Sequence, residues 1–190
     1  AVFGGKLPAV LDDSTMPKPQ SSYGAQKVCC EYMINDCSRK GFVDGRVLRL
    51  PTISVRPGKP NLAASSFASG IIREPLNGIV APCPVSKDTE LWLLSPGKVI
   101  EALIHAHDLP ISAWGTDRVV NLPGITTSVG EMVDALQKVA GEKAVKLIDW
   151  KPDAKIQAII LTWPVRFDTA RGNAMGFKAD KDFEEIVRYY

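Results

Sequence analysis

Residues 21–55 read SSYGAQKVCCEYMINDCSRKGFVDGRVLRLPTISV, a helical pattern that runs straight into a strand pattern. Ala25, Val28, Cys29, Tyr32 and Met33 recur at the spacing of one helical face. This predicts a helix over 23–40 with those residues on its apolar side and Gly41 as its stop. Gly45 to Val55 gives a β-branched, apolar stretch of strand length that ends at Pro51, after which Arg56-Pro57-Gly58-Lys59-Pro60 opens a loop. A helix that leads into such a strand points to an α/β core.

Upstream, Val2 and Phe3 before Gly4 and Gly5 read as the tail of a strand entering a loop. Pro8, Pro17 and Pro19, with Asp12, Asp13 and Ser14, leave 6–20 too rich in breakers for regular structure. Downstream, the patterns predict a short helix over 65–75, short strands over 78–84 and 89–94, and a helix over 96–108 that begins on Pro96 and buries Val99, Leu103 and Ala106. Arg118-Val-Val-Asn-Leu-Pro-Gly124 reads as a strand running into a turn. Ser128 and Glu131 stand at capping-box spacing for a helix to residue 140, with Val129, Met132, Val133, Leu136 and Ala140 on one face. A strand near 145–149 and helices near 153–160, 168–175 and 180–190 complete the pattern. Trp92, Trp114, Trp150 and Trp163 are expected to fill the core of a smaller domain.

With 190 residues, 45% hydrophobic and 23% charged, the chain is long and apolar enough for a sizeable core, which excludes a disordered segment. The formal net charge of +2 comes without a long basic block, so nucleic acid is not an expected partner. No apolar run is long enough to span a bilayer, so no membrane association is expected either. Cys29, Cys30, Cys37 and Cys83 form no Cys-x-x-Cys pair, and His105 and His107 gather no metal-like cluster. Buried free thiols in a reducing cytoplasm, and no metal, are the resulting expectations.

The chemistry lies in the opening stretch. Tyr23 and Lys27 are four residues apart at the start of the predicted helix, so phenol and ammonium share one face. A cation beside a phenol favours the phenolate, which is what lets a tyrosine act as a general base near neutral pH. Tyr-x-x-x-Lys is weak by itself, because chance supplies it readily.

Taken together, these pieces resemble the second half of an extended short-chain dehydrogenase/reductase, the group that contains the NAD-dependent epimerases and dehydratases. Ala1-Val-Phe-Gly4 is similar to the family's strand-end Val-Tyr-Gly segment, Tyr23 to Lys27 to its catalytic Tyr-x-x-x-Lys, and Leu48-Arg-Leu-Pro-Thr-Ile53 to the strand under the nicotinamide. Val120-Asn-Leu-Pro-Gly124, with Ser128 and Glu131, resembles the Asn-x-x-Gly strand and its following helix, and Gly172 to Phe183 resembles the closing segment. The resemblance implies the second half of a Rossmann-type doubly wound parallel sheet plus a small α/β substrate-binding domain. Residues 1–60 would belong to the dinucleotide-binding part and 61–190 mainly to the substrate domain, with room for some segments to return to the Rossmann core.

The same resemblance implies an NAD-dependent oxidoreductase, with NADP left open. Arg46 to Asn61, Ser65-Ser66-Phe67 and Ile72-Arg-Glu-Pro-Leu76 are most similar to members that oxidise the 2-hydroxyl of a small sugar acid. Tyr23 would be the base and Lys27 would hold the nicotinamide ribose, while Leu50, Pro51, Thr52 and Ile53 would line the nicotinamide. Gly24 would leave room for cofactor or substrate. A substrate carboxylate suits a planar guanidinium. Arg73, with Ser65 and Ser66, ranks first for that role, then Arg56, with Arg118 as a candidate that could simply be an exposed charge.

The family's Gly-x-x-Gly-x-x-Gly phosphate loop does not occur within residues 1–190, and its catalytic Ser or Thr would fall just ahead of Ala1. The isolated polypeptide is therefore expected to bind NAD weakly and not to turn over. A nucleotide-sugar epimerase or dehydratase, and a non-catalytic binding domain, remain alternatives, and a homodimer is expected from the family's habit of pairing through the tyrosine helix.

Overall fold

The computed structural model describes residues 1–61 and 63–190. Along the chain, α1 (Ser22–Arg39) leads to β1 (Val47–Arg49) and β2 (Thr52–Ile53), then α2 (Ser66–Leu76), β3 (Ala81–Cys83), β4 (Glu90–Leu94), α3 (Pro96–Asp108) and α4 (Ile111–Trp114). There follow β5 (Val119–Asn121), β6 (Ile125–Ser128), α5 (Val129–Ala140), α6 (Glu142–Val145) and β7 (Ile148–Trp150). The helices α7 (Ala154–Ile160), α8 (Ala170–Ala174) and α9 (Phe183–Tyr189) close the chain.

This is a mixed α/β fold with mainly parallel pairing: β1 with β5, β2 with β4 and β3 with β7 run parallel, and β6 joins β4 antiparallel. The strand pattern of 45–55 is split in two. Proline has no N–H to give to a ladder, and across Leu50 and Pro51 the chain changes partner, from β5 to β4. Val2 and Phe3, expected at the end of a strand, form none among the described residues. They pack with Leu11 in a small buried cluster, and the Val2 carbonyl accepts the Lys18 N–H at 2.9 Å. The breaker-rich loop is pinned further along, where Leu11 N–H reaches the Arg166 carbonyl at 3.0 Å and Asp168 N–H the Leu11 carbonyl at 2.7 Å.

Two larger clusters carry the core. One gathers Phe67, Ile71 and Ile72 of α2, Leu91 and Leu93 of β4, Met132 and Leu136 of α5, and Phe183 and Ile186 of α9. The other joins Leu94, Ala102 and Ala106 of α3, Trp114, Val120, Leu122 and Phe177. Of the tryptophans only Trp114 is fully buried, and it lies in this second cluster rather than beside α2 and α5. Trp92, partly exposed, stacks on Phe167 at 5.2 Å between ring centroids.

Helix α5 follows its pattern closely. Ser128 and Glu131 form the reciprocal capping box, and Val129, Met132, Val133 and Leu136 are buried, although Ala135 takes the place expected of Ala140. In α3 the buried residues are Ala102 and Ala106, whereas Leu103 is 55% exposed. The largest departure is α1. Ala25, Cys29, Tyr32 and Met33 face solvent, and the buried positions are Gly24, Glu31 and Ser38, seven residues apart. A glycine contact and an ion pair orient this helix, and neither registers as apolar periodicity. The thiols follow suit: Cys83 is buried, Cys37 is partly buried, and Cys29 and Cys30 are exposed. Among the described residues no helix is long and apolar enough to cross a membrane.

Candidate active site

Ser21 opens α1 in extended conformation, and its hydroxyl accepts the Gly24 N–H at 3.1 Å, which satisfies one of the free donors of the first turn. This cap fixes where the helix begins, and with it where Tyr23 and Lys27 project. The Lys27 Nζ stands 5.2 Å from the centroid of the Tyr23 ring, within cation–π range, and Tyr23 is 62% exposed. Phenol and ammonium are thus adjacent and open to a ligand.

Gly24 between them has a different task from the one expected. A Cβ there would overlap the Ala1 carbonyl oxygen and lie 2.9 Å from Pro19 Cβ. The residue is glycine because the protein's own backbone fills the space, and this close approach seats the start of α1 against the segment 1–3.

The rest of α1 is tied to β1. Arg49 Nε and Nη2 donate to the two carboxylate oxygens of Glu31 at 2.8 and 2.7 Å, and the guanidinium lies 5.0 Å from the centroid of the Phe3 ring. Both side chains are largely buried, so the bidentate pair acts with little screening. Neither residue was singled out from the sequence. The available signal was Glu31 four residues beyond Lys27 on the same helical face.

Beyond Arg49, Leu50 is exposed, Pro51 buried, and Thr52 and Ile53 partly buried, with the last two in register with Leu93 and Leu94. They follow the C-terminal end of β1, the edge at which open α/β sheets bind ligands. Arg118 stands at the other end. It precedes β5, which is parallel to β1, and it is buried, not an exposed charge: its Nη1 donates to Asp44 at 3.1 Å and its backbone N–H to Asn35 Oδ1 at 2.8 Å.

Arg73 is likewise buried, with Nη1 on the Arg56 carbonyl at 2.8 Å and Nη2 on Glu74 at 2.6 Å. Ser66 accepts the Asn61 N–H at 3.1 Å, and Ser65 precedes α2 without a side-chain capping bond. Arg56 is partly buried at the loop after β2. The structure thus joins Arg56 to Arg73 and Tyr23 to Lys27, and it sets Arg118 apart from both.

Asn121 was also missed. It is buried, its side-chain amide has no partner among the described residues, and its backbone N–H donates to Asp13 at 2.7 Å. Partial burial raises the Asp13 carboxyl above its ordinary value. Among the described residues no group of His, Cys, Asp or Glu is arranged to hold a metal ion.

No family model matches the chain. In sequence it is 53% identical over 190 residues to D-erythronate dehydrogenase of Cupriavidus necator, covering all of this chain and 59% of that protein. It is 49% identical over 193 aligned residues to D-erythronate dehydrogenase of Haemophilus influenzae, covering 60% of it. In structure it superposes on the nucleoside-diphosphate-sugar epimerase of Agrobacterium tumefaciens with a TM-score of 0.95 at 45% identity, covering 98% of this chain and 55% of that one. Fold and sequence together place the chain in likeness with the dehydrogenases of the epimerase/dehydratase type, the extended short-chain dehydrogenase/reductases. Within that group it resembles the D-erythronate dehydrogenases from end to end and spans about three fifths of their length, 59% and 60%.

Proposed function

We propose that the full-length protein is an NAD-dependent dehydrogenase that oxidises the 2-hydroxyl of a small sugar acid such as D-erythronate. The observation that carries this reading is the open Tyr23–Lys27 pair, 5.2 Å from ammonium to ring centroid, in a chain about half identical throughout to two D-erythronate dehydrogenases. Oxidation of a secondary alcohol removes a hydride from carbon and a proton from oxygen, leaving a carbonyl. Tyr23 receives the proton, and Lys27 opposes the negative charge that gathers on the phenol. The residues present suit a nicotinamide cofactor: an exposed ammonium for ribose hydroxyls beside the base, and an exposed Leu50 next to the buried Pro51 for an apolar ring. That group supplies the hydride acceptor when bound. Lys27 would hold its ribose and Leu50 to Ile53 would line it.

The α2, α5 and α9 cluster is read as the substrate domain. The cluster that joins α3, Trp114 and Phe177 is read as part of the cofactor half, to which the chain returns after residue 60. Exposed Tyr32 and Met33 on α1 offer a pairing face for a homodimer, and the free thiols suit a reducing cytoplasm.

The likeness to a nucleoside-diphosphate-sugar epimerase favours a second reading, a nucleotide-sugar substrate. Assays of the full-length protein separate the two. Reduction of NAD or NADP by small aldonates, with no conversion of nucleotide-sugars, is the expected result, and the reverse pattern would favour the epimerase. Tyr23→Phe should abolish turnover and leave NAD affinity within a few-fold, and an unchanged rate would overturn the assignment of the base.

A further inference from the structure

The chain contains nine arginines, and in eight of them the guanidinium meets a carboxylate: Arg39, Arg46, Arg49, Arg73, Arg118, Arg166, Arg171 and Arg188. Arg56 alone has no carboxylate partner among the described residues. We propose that Arg56 is the specificity-determining residue that receives the carboxylate of the hydroxy-acid substrate, and that Arg73 holds it in place without touching substrate. This inference rests on the dehydrogenase reading above and names how that site selects acids.

The backbone around Arg56 is fixed from both sides by α2. Its N–H donates to Ser69 Oγ at 3.0 Å, and its carbonyl accepts from Arg73 Nη1 at 2.8 Å. Two residues earlier, the Ser54 hydroxyl donates to the Ala68 carbonyl at 2.8 Å and Ser54 N–H to the Leu94 carbonyl at 3.1 Å. Ser54, Ser69 and Arg73 are all buried, so these bonds are shielded from water. Pro57 follows directly and restricts the backbone of Arg56.

Position agrees with chemistry. Arg56 lies past the C-terminal end of β2, three residues after Ile53, on the side of the parallel strands where ligands bind. Arg118 lies before the start of its strand, and both Arg118 and Arg73 are neutralised within the fold. A free, partly buried guanidinium can offer a planar carboxylate two parallel hydrogen bonds, whereas one already bound to Glu74 cannot.

The test uses the full-length protein with NAD and D-erythronate. Arg56→Gln should raise KM for the acid about 10- to 100-fold, as expected for losing charge-assisted bonds, and leave NAD affinity unchanged. The discrimination against the corresponding uncharged polyol should shrink by the same factor. Arg56→Lys should retain part of the affinity, and added guanidinium ion should partly restore an Arg56→Ala variant, a rescue that a merely structural residue would not show. Arg73→Met, which frees the Arg56 backbone but leaves its guanidinium, should lower the melting temperature and relax that discrimination, though less than Arg56→Gln does. An active wild type whose Arg56→Gln and Arg56→Lys variants fold and keep both KM and discrimination would overturn the inference and leave the dehydrogenase reading standing. A wild type that oxidises no hydroxy acid would overturn both.

Discussion

At the scale of single residues, Gly24 shows how a position inside a motif can be set by packing and not by chemistry. The atoms that exclude a side chain there are the Ala1 carbonyl oxygen and Pro19 Cβ, the first of them backbone that cannot rotate away. Gly24→Ala should therefore destabilise the fold by about 1–3 kcal/mol, the usual cost of forcing a methyl group into filled space. A thermal melt checks it, and a variant as stable as the wild type would mean that segment 1–3 does not sit against α1. Tyr23 and Lys27, on either side, are exposed, so substitutions there should cost the fold little. Stability and the proposed chemistry are thus divided between neighbouring positions. That division was not legible in the string, since glycine beside a candidate catalytic tyrosine suits a close-approaching ligand and a close-approaching backbone equally well.

At the scale of elements, α1 is the instructive case. Its limits follow from local signals: Ser21 caps it, and the helix ends at Arg39, just before Gly41 at φ 75°. Its orientation does not. Tyr32 and Met33 point to solvent at 65% and 66% exposure, while Glu31 turns inward to Arg49. Removing one member leaves the other buried and unpaired, so Arg49→Met or Glu31→Gln should cost about 3–5 kcal/mol. Replacing both with apolar residues of similar size should recover much of that loss. Denaturant titrations of the single and double variants check this, and singles no worse than the double would show that the pair is not coupled. Because the pair joins the helix of Tyr23 to the strand that runs on to Leu50 and Ile53, the singles should also weaken the proposed dehydrogenase activity of the full-length protein. By contrast α5 was legible in nearly every detail, because a capping box and an apolar stripe are local features that a packed core merely accepts.

At the scale of the whole molecule, the described residues hold two large apolar cores and mainly parallel strand pairs. The glycine-rich phosphate loop of this fold does not occur among residues 1–190. Backbone N–H groups at such a loop supply much of the grip on a pyrophosphate. Residues 1–190 alone should therefore bind NAD weakly, without saturation in the micromolar range by fluorescence titration, and tight saturable binding would overturn that expectation. What the sequence determined by itself was whatever depends on neighbours along the chain. It set the order of most helices and strands, the cap at Ser128, the strand end at Pro51 and the shared face of Tyr23 and Lys27. What only the tertiary structure decided was which polar groups are already satisfied. An arginine is available to a ligand only if no carboxylate has reached it first. Asp44 lies 74 residues from Arg118, and the Arg56 carbonyl 17 from Arg73. Such pairings are made by folding, and they single out Arg56 among nine otherwise equivalent guanidinium groups.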